Sequence, residues 1–73
     1  MDKTYTITLL GKLDKQLKNL ISEVQQEHKG MVSGIYDIYE GLYVSGHCKS
    51  HSKARAYYVA YSLAENNIEF TIE

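Results

Sequence analysis

Gly34-Ile35-Tyr36-Asp37-Ile38-Tyr39-Glu40-Gly41-Leu42-Tyr43-Val44-Ser45-Gly46-His47 is the stretch on which the fold turns. Its β-branched and aromatic residues, interrupted by Glu40-Gly41, read as two extended runs, residues 35–39 and 42–47, joined by a tight turn. What alternation would place inside decides the register of such a hairpin. A two-residue loop Glu40-Gly41 puts Asp37 on the same face as Leu42 and Val44, which brings a carboxylate into the core. A three-residue loop Tyr39-Glu40-Gly41, with Gly41 in the left-handed bulge position of a type I turn, aligns Leu42 and Val44 with Tyr36 and Ile38. The second register is preferred, and it turns Asp37, Tyr43, Ser45 and His47 to the opposite face.

Upstream, residues 4–10 alternate with a period of two and close at Gly11, a first strand with Tyr5, Ile7 and Leu9 inward and Thr4, Thr6 and Thr8 outward. From Leu13 the spacing becomes helical: Leu13, Leu17, Leu20, Ile21 and Val24 form an apolar stripe opposite Asp14, Lys15, Lys18, Glu23 and Glu27. This helix should stop between His28 and Gly30, where glycine accepts the left-handed C-terminal conformation. Downstream, residues 52–66 are helical, with Ser50 or Ser52 as N-cap and Asn66-Asn67 as stop. Residues 68–73 alternate, Ile68, Phe70 and Ile72 against Glu69, Thr71 and Glu73, and make the last strand.

The order strand, helix, strand, strand, helix, strand is the split β-α-β pattern of the ferredoxin-like fold. It predicts an α+β domain with a four-stranded antiparallel sheet in order 4-1-3-2 and both helices on one face. Ile7, Leu9, Val44 and Phe70 would then be buried against Leu17, Ile21, Val59 and Leu63. That architecture hosts many unrelated activities and selects none of them.

Composition sets outer limits. Seventy-three residues with 44% hydrophobic and 23% charged side chains describe one domain over residues 1–73, with an expected radius of gyration of about 11 Å and little room for a large cofactor; none is expected. Cys48 is the single cysteine and has no internal disulfide partner, which suits a reducing cytoplasm. No apolar run approaches the ~20 residues of a membrane span, and Met1-Asp2-Lys3-Thr4 leads directly into strand-like alternation, so no membrane association is expected.

Charge is segregated. Residues 1–40 sum to −1, residues 41–64 to +3 through Lys49, Lys53 and Arg55, and residues 65–73 to −3 through Glu65, Glu69 and Glu73. A sequence pI near 6.3 argues against general nucleic-acid binding. The local basic segment is a candidate all the same, because cations are unfavourable in the first turn of a helix. Lys49, Ser50, His51, Ser52, Lys53 and Arg55 would compensate by holding a phosphate-bearing ligand or nucleotide against the helix start. In the competing account these side chains are solvated, or pair with the acidic end of a neighbouring chain.

His47, Cys48 and His51 superficially suggest a metal or a nucleophilic thiolate. They lack the spacing of strong zinc motifs, alternation turns Cys48 away from His47, and no metal site or catalytic residue is assigned. Tyr57, Tyr58 and Tyr61 widen the apolar arc of the second helix beyond the core stripe Ala56, Val59, Ala60 and Leu63. Tyrosines of this kind favour interfaces, and a small domain without staples has a stability motive to self-associate. The expected function is therefore non-enzymatic binding, to a protein partner or as a homodimer, of the kind seen in accessory or phage-type regulators. Single-stranded RNA on the open sheet face, with Tyr43 and His47 offered for stacking, is a third and poorer fit.

Overall fold

A computed structural model describes residues 3–30 and 33–73, with a radius of gyration of 11.2 Å. Met1 and Asp2, read above as leading into the first strand, lie outside the described residues. The elements are β1 (Tyr5–Leu9), α1 (Lys15–Glu27), α2 (Ser33–Ser45), β2 (His47–Ser50), α3 (Lys53–Glu65) and β3 (Phe70–Ile72).

The largest departure from the sequence reading is α2. Residues 35–47 do not form a hairpin; one helix runs to Ser45, and the strand that follows it begins only at His47. Ile35, Ile38, Tyr39 and Leu42 are all buried, and their spacing is that of one helical face. Val44, expected in the core, is 63% exposed on the far side of this helix. Gly41 is not a turn residue but an approach point: a Cβ there would lie 2.9 Å from Cys48 Sγ and 3.1 Å from Cys48 Cβ, so α2 rests directly on β2. Close packing overrides both the β preference of isoleucine and tyrosine and the roughly 1 kcal/mol penalty of a helical glycine.

The expected four-stranded 4-1-3-2 sheet with two helices is replaced by a three-stranded antiparallel sheet, β2-β1-β3, with three helices. The overall class remains α+β. The central strand pairs Ile7 with Cys48 on one side and with Ile72 on the other. Gly46 joins helix to sheet. At φ +79 its N–H reaches the Leu42 carbonyl at 2.9 Å, which ends α2, and its own carbonyl accepts the Leu9 N–H at 2.8 Å, which starts the β2 pairing.

Local signals account for the other helices. Asp14 caps α1, its Oδ1 accepting the Leu17 N–H at 2.9 Å, and Ser52 caps α3 by accepting the Arg55 N–H at 3.2 Å. Past α1 and α3 the chain turns with left-handed backbone at Gly30 and at Asn67, residue types that tolerate it. All three helices contribute to one core on one face of the sheet, including Ile7, Ile21, Leu42, Val59 and Leu63. Full burial of an aliphatic side chain of this kind stabilises by roughly 1.5–3 kcal/mol. The opposite sheet face carries Thr6 and Thr8 beside Lys49, His47 and Thr71. Tyr43, expected there, sits on α2 beneath the Lys18 ammonium, 5.6 Å from its ring centroid.

Candidate functional site

Capping and register disperse the basic segment. Ser50 Oγ donates to the Ser52 carbonyl and accepts the Ser52 N–H, both at 3.1 Å, while Ser52 Oγ is engaged by Arg55 N–H. Both hydroxyls thus serve the turn that launches α3. Lys49 projects from the open sheet face opposite Thr6, and His51 Nδ1 lies 3.4 Å from Thr4 Oγ1. The Arg55 side chain leaves this cluster and lies over the start of α2, where a Cβ at Gly34 would meet its guanidinium at 2.8 Å. Ser50, Ser52 and the Arg55 amide are therefore brought together, whereas the Lys49 and Arg55 cations are not. Lys53 stays exposed at the first position of α3.

The three tyrosines do share one surface. At 100° per residue, Ala54, Tyr57, Tyr58, Tyr61, Ala64 and Glu65 fall on a single arc of α3, and all six are exposed, whereas Ala56, Val59, Ala60 and Leu63 on the other side are buried. Tyr61, at the middle of the arc, is 70% exposed; Tyr57 and Tyr58 are 39% and 41% exposed. Their rings are braced from below. Tyr57 meets the ring of Tyr5 edge-on at 6.1 Å, and Tyr58 meets the His28 ring edge-on at 5.4 Å. Contacts of this kind restrict the Tyr57 and Tyr58 rings.

Behind Tyr58 lies a buried polar cluster that the sequence reading missed. His28, the C-cap of α1, stacks on Tyr39 of α2 with centroids 5.1 Å apart and an interplanar angle of 11°, and the Tyr39 hydroxyl lies 3.2 Å from His28 Nε2. Burial raises the Tyr39 pKa; a hydrogen bond with Ser62 works against this, and Tyr58, Glu27 and Glu65 add to it. Nearby, buried Gln25 donates from Nε2 to the Tyr36 carbonyl and to Glu40 Oε2, both at 3.2 Å. These bonds satisfy polar groups that would otherwise be costly to bury, and they lock the α1–α2 pair beneath α3. Placing Tyr39 in a turn hid this cluster, since helical spacing is what brings Tyr39 and His28 together.

Cys48 is half-buried against Gly41, and burial pushes its thiol pKa up; hydrogen bonding with the Lys49 backbone opposes the shift and Asp37 reinforces it. That is the opposite of the lowered pKa an activated nucleophile requires. Among the described residues, no three His, Cys, Asp or Glu side chains converge as metal ligands, and no helix is long and apolar enough to cross a membrane. An open groove of about 620 Å³ runs between α1 and the α3–β3 connection, floored by Leu17, Leu20 and Ile68 and rimmed by Asp14, Glu23 and Glu69.

No protein-family model, curated protein or solved structure matches the chain.

Proposed function

We propose that this domain acts by protein–protein interaction and associates with itself through the exposed face of α3. The observation that carries the proposal is the continuous arc of Ala54, Tyr57, Tyr58, Tyr61 and Ala64, solvent-facing and free of charge between Lys53 and Glu65. Amphipathic rings such as Tyr57 and Tyr58, held by Tyr5 and His28, are the kind of surface that forms interface cores. A reducing compartment suits the function, because Cys48 packs as a thiol against Gly41.

Sedimentation across a concentration series tests this reading. The mass should rise with concentration for the unaltered protein and stay monomeric when Tyr57 and Tyr61 are both changed to alanine with the fold intact. A mass independent of concentration in the unaltered chain refutes self-association. The competing site for a phosphate-bearing ligand at residues 49–55 predicts a different response: phosphate or nucleotides would raise the melting temperature, and Lys53→Glu with Arg55→Glu would abolish the rise. The engagement of the Ser50 and Ser52 hydroxyls within their own turn favours the interaction reading over this one.

A further inference from the structure

The charges of α3 run against its own dipole: its first turn holds Lys53 and Arg55 and no acid, and its last turn holds Glu65 and no base. Each charge faces the end of the helix dipole that repels it. A second helix lying antiparallel across the exposed arc reverses the relation, since its negative end then lies beside Lys53 and its positive end beside Glu65. Apart from Tyr58, which mirrors buried Ala60, the arc and the flanking Lys53 have the matching symmetry. About a centre at Val59, Lys53 mirrors Glu65, Ala54 mirrors Ala64, and Tyr57 mirrors Tyr61. A surface that is self-complementary under reversal is what a two-fold interface requires.

We propose that two copies of the domain pair through their α3 helices, antiparallel about a two-fold axis opposite Val59, with Lys53 of each copy set against Glu65 of the other. This rests on the self-association proposed above and specifies its geometry. Alanines at both ends of the contact let the backbones approach to about 8–10 Å, while the tyrosines interleave at the centre. The exposed parts of the three rings amount to roughly 300 Å² per copy, well under the ~800 Å² per partner of a standard interface. The association is accordingly weak, with Kd in the micromolar range or above, and the end charges decide its orientation.

The test uses Lys53→Glu and Glu65→Lys, each made singly in the full chain. Each variant alone places like charges at both ends of the pair and should weaken self-association about tenfold. A mixture of the two has opposite charges at both ends and should recover the unaltered affinity, as should the double variant by itself. Each single change also relieves the clash with its own helix dipole, so the monomers should melt no lower than the unaltered protein. As a second readout, in a Cys48→Ser background, Ala54→Cys and Ala64→Cys chains should cross-link with one another but not each with itself. If the unaltered chain is monomeric at every concentration, both the self-association and this geometry fail. If it associates and loses association on Tyr57→Ala with Tyr61→Ala, yet the mixture recovers nothing or Ala54→Cys cross-links with itself, the antiparallel pairing alone is overturned.

Discussion

Replacing Gly41 with alanine tests the seat of α2 on β2. In an exposed helix this change stabilises by about 1 kcal/mol, because alanine lowers the backbone entropy lost on folding. At Gly41 the new methyl would stand 2.9 Å from Cys48 Sγ, 3.1 Å from Cys48 Cβ and 3.6 Å from the His47 carbonyl oxygen. Carbon atoms in packed interiors settle at about 3.5–4.0 Å, so the helix must lift or Cys48 must rotate into its neighbours. Overpacking of this kind costs about 1–3 kcal/mol, which outweighs the gain in propensity. With a clash cost in the middle of that range, about 2 kcal/mol, the net loss is about 1 kcal/mol, a fall in Tm of roughly 4–8 °C for a domain of this size. Urea unfolding of the unaltered protein, Gly41→Ala, Cys48→Ala and the double variant closes a thermodynamic cycle. Removal of Sγ should relieve the clash in part and leave a coupling of about 1 kcal/mol. Gly41→Ala stabilising by its full helical propensity, or a coupling indistinguishable from zero, would refute the close contact and with it the placement of α2.

Two further outcomes follow from buried titratable groups. Because burial raises the Tyr39 pKa, the folded protein keeps a proton that the unfolded chain releases above the ordinary tyrosine value of about 10. The resulting stability is fully present below that pH and is lost as pH rises beyond it, so urea midpoints should decline on the alkaline side. Tyr39→Phe should flatten that decline while lowering neutral-pH stability by about 1 kcal/mol, since His28 Nε2 loses its neighbour; an unchanged alkaline slope would assign the effect elsewhere. The raised pKa and partial burial of Cys48 predict slower alkylation by iodoacetamide near neutral pH than in the urea-unfolded chain, read by mass spectrometry. Equal rates would place the thiol in solvent.

Periodicity made β1, α1 and β3 legible, because in each the inward positions stand out against a polar remainder, while α3 was bounded by its Ser52 cap and the Asn66-Asn67 stop. In α2 the inward positions do not stand out. Tyr36, Tyr43 and Val44 lie outside its buried stripe and are themselves apolar, so the helical spacing of Ile35, Ile38, Tyr39 and Leu42 is submerged in a run that also satisfies alternation. Gly41 completed the misreading: a glycine next to Glu40 signals a turn in isolation, and its purpose, a close approach to Cys48, depends on a strand that comes later in the chain. The excess of tyrosine on α3 was visible from the sequence. The mirrored ends of its exposed arc were not, since the centre of symmetry emerges only once the helix is bounded at Lys53 and Glu65.

The central position of β1 carries a consequence for how the molecule assembles. Ile7 is made early, yet its neighbours across the sheet, Cys48 and Ile72, emerge only after most of the chain. The adjacent helices α1 and α2 can collapse on each other meanwhile through the Gln25 and His28 bonds, leaving the first strand to wait with its apolar face uncovered. Such non-local closure is intrinsically slow, and the waiting strand is the species most exposed to capture by other chains.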